Sequence, residues 1–350
     1  MLFFRVGKSL LRALFLLLVT LWLVIGNARV AGANTVGDEV RSWLVNARSS
    51  IDVSTRLFYA DDQISGAQVL GFDYFNVFST DRGDVGTLIF QPYLVLSNDT
   101  QGSDDNPLTT GVSPEKTGNG LQWRIANFNY TGIGRGRFNL RVGHFELPFG
   151  LEQIVQTNGT LNQTNVLANT GLKTDWGASL NGELPGFEYE LGFMRGSGNG
   201  LNSEANGYFV GRVGLPRYRS WWLGVSGISG ELEFKDELID LNSVAVDGGV
   251  RLPSGLQLML EYSTQESNAG TNSYLFGELG YTSRSEAVFS YLQWRTGNLL
   301  DISGSYNLPR ASLGVRYEPS NLWSASMEYQ RLASAAGSEQ SFVLQLRFRS

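Results

Sequence analysis

The stretch "RFNLRVGHFELPFG", Arg137 to Gly150, decides how the rest of the chain reads. Phe138, Leu140 and Val142 alternate with Arg137, Asn139 and Arg141, the period of a strand whose successive side chains point to opposite faces. A strand of a soluble sandwich turns its apolar face to a core and its polar face to bulk water. Here the polar face carries two arginines, the strand runs into a Pro-Phe-Gly corner, and a long amide-rich segment follows. A wall with lipid on one side and a water-filled lumen on the other accounts for both faces.

The N-terminus agrees with export. Arg5, Lys8 and Arg12 precede the apolar run Ala13 to Ile25, and Ala31-Gly32-Ala33 supplies the small residues of a cleavage site. The run falls short of the roughly 20 residues of a spanning helix. Residues 1–33 are therefore expected to be a cleaved signal peptide, with a retained anchor as the alternative. Residues 34–50 read two ways. Val36, Val40 and Trp43 or Leu44 have helical spacing, so a periplasmic helix competes with a first strand. Residues 51–350 are expected to form the barrel.

Composition narrows the class further. The sequence holds no cysteine, which excludes disulfides, thiolate metal sites and covalent haem attachment. A closed barrel stabilises such an exported chain by leaving no backbone edge unpaired. Without the four leader cations, the balance of 27 basic to 33 acidic residues becomes 23 to 33. So acidic a chain is no general nucleic-acid binder. Its 42 glycines exceed the usual share of about 7% and fall inside alternating runs as well as in turns, where they make room at a tight wall.

After residue 50 the chain is a procession of hairpins. "LQWRIANFNY" and "RFNLRVGHF" flank the turn Gly132 to Gly136, and "WGASLNGEL" and "FEYELGFMR" flank Pro185-Gly186. "SVAVDGGVRL" and "LQLMLEYSTQ" flank Pro253-Ser254-Gly255. Short turns alternate with long polar connections at Asn98 to Gly120, Glu146 to Gly171 and Gly196 to Asn206. That inequality is the mark of an outer-membrane barrel. Leu256, Leu258, Leu260 and Tyr262 alternate with Gln257, Met259, Glu261 and Ser263, and Phe342, Leu344, Leu346 and Phe348 alternate with Val343, Gln345, Arg347 and Arg349. One face is large and apolar and ends in aromatics, as a lipid-facing wall with girdles requires. The expected fold is all-β: a closed antiparallel transmembrane β-barrel of about sixteen strands.

On these residues the chain resembles a known family. "RVGHFELPFGLE", a strand entering a Pro-Phe-Gly corner before a long loop, is similar to the corresponding stretch of the phosphate-selective porin O/P superfamily. The resemblance implies an outer-membrane channel of roughly sixteen strands, a homotrimer, and a loop folded into the lumen.

Parity puts the chemistry in the lumen. Arg124, Arg137 and Arg141 form a candidate basic cluster that would draw in small anions. The competing reading pairs them across strands with Asp175 and Glu183 of the following hairpin. Asn139 shares their face. Asp247 and Arg251 lie on one strand, and Arg316, Glu328 and Arg347 alternate in sign on the last three. Glu146 to Gly171 is too long for a turn and rich in amides, so Glu146, Glu152, Gln156, Asn158, Asn162 and Asn165 are candidate constriction residues. Its Ile154, Val155, Val166 and Leu167 would pack against the wall if it folds inward. His144, the only histidine, falls on the lipid side by parity with no matched serine or carboxylate, so no enzyme is expected.

The functional expectation is a porin of the bacterial outer membrane passing small hydrophilic solutes or anions, with no cofactor. The alternative is a barrel that sheathes a multihaem cytochrome partner in an electron conduit.

Overall fold

The computed structural model describes residues 47–60, 63–80, 83–97, 120–134, 136–155, 160–162, 169–200, 204–234, 237–267, 270–301, 304–307, 310–334 and 337–350. The expected leader, residues 34–46 and the connection 98–119 lie outside them, as do Gln156, Asn158, Asn165, Val166 and Leu167. Described strands β1 (Arg48–Ala60), β2 (Gln63–Thr80), β3 (Gly83–Ser97), β4 (Gly120–Ile133), β5 (Phe138–Glu146) and β6 (Thr174–Leu184) open the sheet. Next come β7 (Phe187–Met194), β8 (Gly207–Gly214), β9 (Trp221–Phe234), β10 (Glu237–Arg251), β11 (Leu256–Ser267) and β12 (Gly270–Thr282). The last are β13 (Val288–Asp301), β14 (Gly304–Asn307), β15 (Arg310–Ser320), β16 (Trp323–Ser334) and β17 (Gly337–Arg349).

Sequence neighbours other than β14 and β15 pair antiparallel, and β17 returns to β1 with Asp52 opposite Arg349 and Ala60 opposite Ser341. The sheet therefore has no free edge. β14 lies on the tip of β13, beyond the part of β13 that pairs with β15, so β14 and β15 make one interrupted stave. The ring has sixteen staves. β1 already begins at Arg48, so the end of the ambiguous segment 34–50 is strand.

The two faces separate as the alternation requires. Leu140 and Val142 on β5, Leu191 and Phe193 on β7, and Leu344 and Leu346 on β17 are exposed on the outside. Glu261, Gln293, Glu328 and Gln345 are buried on the inside. A polar interior with an apolar exterior suits lipid outside and water within.

Glycine usage has a packing cause. A Cβ at Gly71 would stand 2.5 Å from the Tyr93 ring, at Gly249 2.3 Å from Trp222, and at Gly314 2.2 Å from Tyr291. Each of these three lumenal aromatics lies across a glycine of the neighbouring strand, which keeps a large ring against the wall. One irregularity matters for the site. Pairing of β3 with β4 shifts between Gln91 and Pro92, leaving Arg124 as the extra residue of a bulge. Pro92 has no N–H to give the ladder, which is where such a slip is tolerated.

Candidate functional site in the lumen

The inward loop is built at the Pro-Phe-Gly corner. The chain leaves β5 after Glu146, and the Phe149 N–H donates to the Leu147 carbonyl at 2.9 Å around Pro148. Gly150 then takes φ of 48°, the left-handed region that glycine enters without strain. A Cβ there would also stand 2.1 Å from the Glu261 carboxylate. Both facts demand glycine. A single helical turn follows, with the Val155 N–H donating to the Leu151 carbonyl at 3.0 Å. Lys173 caps its far end by donating to the carbonyls of Glu152 and Val155, where a cation meets the negative end of the turn. The Leu147 N–H closes the base of the loop on the Lys173 carbonyl at 3.0 Å.

The loop is seated on the opposite wall by two apolar clusters. Phe145, Leu147, Phe149 and Leu172 pack with Met194, Tyr208, Val210, Ile228 and Leu241. Leu151 and Val155 pack with Trp222, Met259 and Phe276, and Ile154 lies against this group. Polar wall groups fix its height. The Gly150 N–H donates to Ser226 Oγ at 2.9 Å and the Leu151 N–H to Glu261 at 2.6 Å. Asn169 Nδ2 donates to Glu261 at 2.8 Å, and Asn162 Nδ2 to Glu278 at 3.3 Å. On the near side, Arg56 of β1 donates to the Thr160 carbonyl at 3.2 Å. The segment crosses the lumen from β5 to β9, β11 and β12. Glu146 stays at its root, 3.7 Å from Lys173, and Glu152 is buried and bonded to Asn169.

The expected cluster of Arg124, Arg137 and Arg141 is not what the structure brings together. Arg137 stands exposed in the turn before β5. Arg141 pairs with Glu190 at 3.0 Å, not with Asp175 or Glu183. Arg124 is buried and donates to the Tyr93 hydroxyl, whose single proton is shared between Asp52 at 3.1 Å and Asp73 at 3.0 Å. Asn139 donates to Asn181 Oδ1 at 3.1 Å. Glu183 accepts from the Tyr218 hydroxyl at 2.7 Å, and that bond holds the exposed turn hydroxyl above its ordinary pKa.

Asp175 has a different task from the one expected. Its carboxylate accepts the backbone N–H groups of Gly196 at 2.6 Å, Ser197 at 3.2 Å and Trp176 at 2.8 Å, pinning the β7–β8 connection. That connection covers ground left bare when the chain leaves β5. Asn199 accepts the Trp123 N–H at 2.7 Å, and its carbonyl accepts from Trp176 Nε1 at 3.4 Å. His144 lies beneath, its ring centroid 5.1 Å from that of Trp176. It shares the outward face with Leu140 and Val142, as parity predicts, yet is 0% exposed, so it meets protein and not lipid.

The expected charge ladders are redistributed too. Asp247 pairs bidentately with Arg212 at 2.7 and 2.8 Å, while Arg251 of the same strand lies over Trp222 and bonds Gln257. Glu328 accepts from Tyr291 and Gln330, Arg347 pairs with Asp52, and Arg316 stands 3.6 Å from Glu318. Sequence reading passed over Asp52, Arg56, Tyr93, Glu188, Glu190, Arg212 and Arg217. All but Arg217 sit at alternating positions of recognisable strands, so the strand period itself could have flagged them.

No family model and no curated protein matches the chain. Among solved structures it aligns over 87% of its length with an anion-selective porin from Comamonas acidovorans, at 10% identity over 99% of that chain and a TM-score of 0.61. Salmonella typhi OmpF in complex with daunomycin aligns equally far, at 9% identity over 97% of that chain with a TM-score of 0.61. The trimer form of OmpT, an outer membrane protein of Vibrio cholerae, aligns at 10% identity over 99% of that chain with a TM-score of 0.58. At such low identity the likeness is one of fold: the chain is similar to outer-membrane barrels along nearly their whole length.

Proposed function

We propose that the chain is a porin of the bacterial outer membrane, a passive channel for small hydrophilic solutes that prefers anions. The observation that carries this reading is the division of charge across the lumen. Carboxylates under the loop are engaged: Glu261 and Glu278 hold loop groups, and Glu188, Glu190 and Asp247 hold arginines. On strands β1 to β4 and β13 to β17, among the described side chains, Arg56, Arg124, Arg295, Arg310, Arg316, Arg347 and Arg349 outnumber Asp52, Asp73, Glu318 and Glu328 on the inner face. Guanidinium groups on a low-dielectric wall raise the local concentration of anions.

Export through a cleaved leader at residues 1–33, contact with lipid along the apolar belt, and homotrimeric assembly belong to the same reading. The trimer is supported by the trimer form among the fold's neighbours. Kinship with the O/P porins is supported by the "RVGHFELPFGLE" stretch, whose corner does build the inward loop. The cytochrome-sheath reading is disfavoured by the loop itself, since a partner inside the barrel would have to displace both apolar clusters. A catalytic role is disfavoured by His144, which is buried with its ring against Trp176.

Reversal potential in a salt gradient across a planar bilayer tests the proposal. Anion preference that declines as salt rises is the expected result. A channel preferring cations at low salt overturns the selectivity, and absence of conductance from folded protein overturns the channel.

A further inference from the structure

A cavity of about 310 Å³ opens between β5, β6, β7 and β8, toward the end of the barrel that carries the short turns. Its wall holds Arg141, Arg212 and Arg217 together with Glu183, Glu188 and Glu190. We infer that this cavity is a binding site for a small neutral polyhydroxylated solute, of the size of a monosaccharide, distinct from the arginine-rich wall across the lumen. The inference goes beyond the anion channel proposed above.

Charge pairing carries the argument. Each arginine of the cavity is already matched: Arg141 with Glu190 at 3.0 Å, Arg212 with Glu188 at 2.9 Å and with Asp247, and Arg217 with Glu188. A free anion entering would meet a carboxylate beside every guanidinium, and a free cation the reverse. Like-charge contact then offsets what the opposite charge contributes. A hydroxyl group suffers neither penalty, because it donates and accepts at once. An ionised carboxylate offers about four acceptor sites and a guanidinium five donors, more than one ion pair uses. Adjacent hydroxyls of a polyol fit such alternating acceptors and donors. Asn139 and Asn181 add amide groups, and Glu183 accepts only from the Tyr218 hydroxyl among the contacts the structure shows. The volume lies at the small end of ligand pockets, about 300–1,000 Å³.

Gln153 ties this cavity to the inward loop. Its amide donates to Glu190 at 2.9 Å and accepts from Arg217 at 3.2 Å. An occupant here therefore touches the same hydrogen-bond chain that steadies the root of the constriction, so binding is readable in the ion current.

The test is single-channel recording with D-glucose added to one side at a time. Wild-type protein should show a current reduction that saturates with glucose concentration and is stronger from the short-turn side. Asn181→Ala and Glu183→Gln leave the ion pairs in place and should each weaken half-saturation at least tenfold, with heat-modifiable electrophoretic mobility reporting an intact barrel. A reduction that is linear in glucose and equal from both sides, as viscosity alone gives, overturns the inference. So does saturation by glycine zwitterion or by chloride in place of glucose, or unchanged half-saturation in both variants. The salt-gradient measurement on untreated channels is independent of glucose, so failure of the site and failure of the channel read separately.

Discussion

Glu261 of β11 accepts the backbone N–H of Leu151, 110 residues away in sequence, at 2.6 Å, and the same carboxylate takes Asn169 Nδ2 at 2.8 Å. One wall side chain thus holds both arms of the inward loop. Hydrogen bonds to a charged acceptor contribute about 1.5–3 kcal/mol each, and a buried donor left without one costs about 1–3 kcal/mol. Glu261→Ala should release the loop from β11, giving larger and noisier single-channel conductance while the sheet stays closed. Glu261→Gln keeps an oxygen acceptor and should change conductance less. Equal, unaltered conductance in both variants would show that the loop is held without this carboxylate.

Gly150→Ala attacks the same seat from the loop side. The new methyl would have to occupy space 2.1 Å from Glu261 Oε2 at a residue whose φ is 48°. Strain and displacement of the carboxylate act together, so conductance should resemble that of Glu261→Ala. Leu147→Ala, by contrast, removes a fully buried side chain and should cost about 2–5 kcal/mol of stability, seen as a lower temperature of heat modification.

Why the loop was legible and its neighbours were not follows from geometry. The corner at Pro148 and Gly150 is local, and the amide-rich length after it announces itself in sequence. Two of the lumenal ion pairs are different, because they skip a strand. Arg141 faces Ser179 on β6, and over that small side chain it reaches Glu190 on β7. Arg212 faces Ser226 on β9 and reaches Asp247 on β10. Strand parity identifies which face a charge occupies, and it placed Arg141 and Asp247 on the inner face. It carries no information on reach, so the nearest-strand partners of the competing reading, Asp175 and Glu183, are not the ones Arg141 meets. Asp175 was misread for a second reason: its partners are backbone N–H groups, which no side-chain pattern reveals.

Asp175→Ala should free the β7–β8 connection. It removes the acceptor of the Gly196 and Ser197 N–H groups while leaving the ladder of β6 intact. Arg195, exposed at the start of that connection, becomes a faster trypsin site. Limited proteolysis of the detergent-solubilised barrel should yield a new cut there, with emission from Trp176 shifting to longer wavelength as its cover opens. If the digestion pattern and emission match wild type, the carboxylate is not what holds the connection down.

Selectivity separates arginines that the sequence alone grouped together. Arg137 is exposed in its turn, Arg141 is neutralised by Glu190, and Arg124 faces the lumen from a bulge among Tyr93, Asp52 and Asp73. Exposed charges in bulk solvent are screened within a Debye length of about 8 Å at physiological salt, whereas buried ones are screened far less. Arg137→Gln should leave the reversal potential in a potassium chloride gradient unchanged. Arg124→Gln should move it toward cations, because it removes positive charge beside two carboxylates that remain. Arg56→Gln should act in the same direction, since Arg56 lies on the same wall and meets the loop at Thr160. All shifts should shrink as salt rises. A larger shift for Arg137→Gln than for Arg124→Gln would place the selective field in the turn and not on this wall.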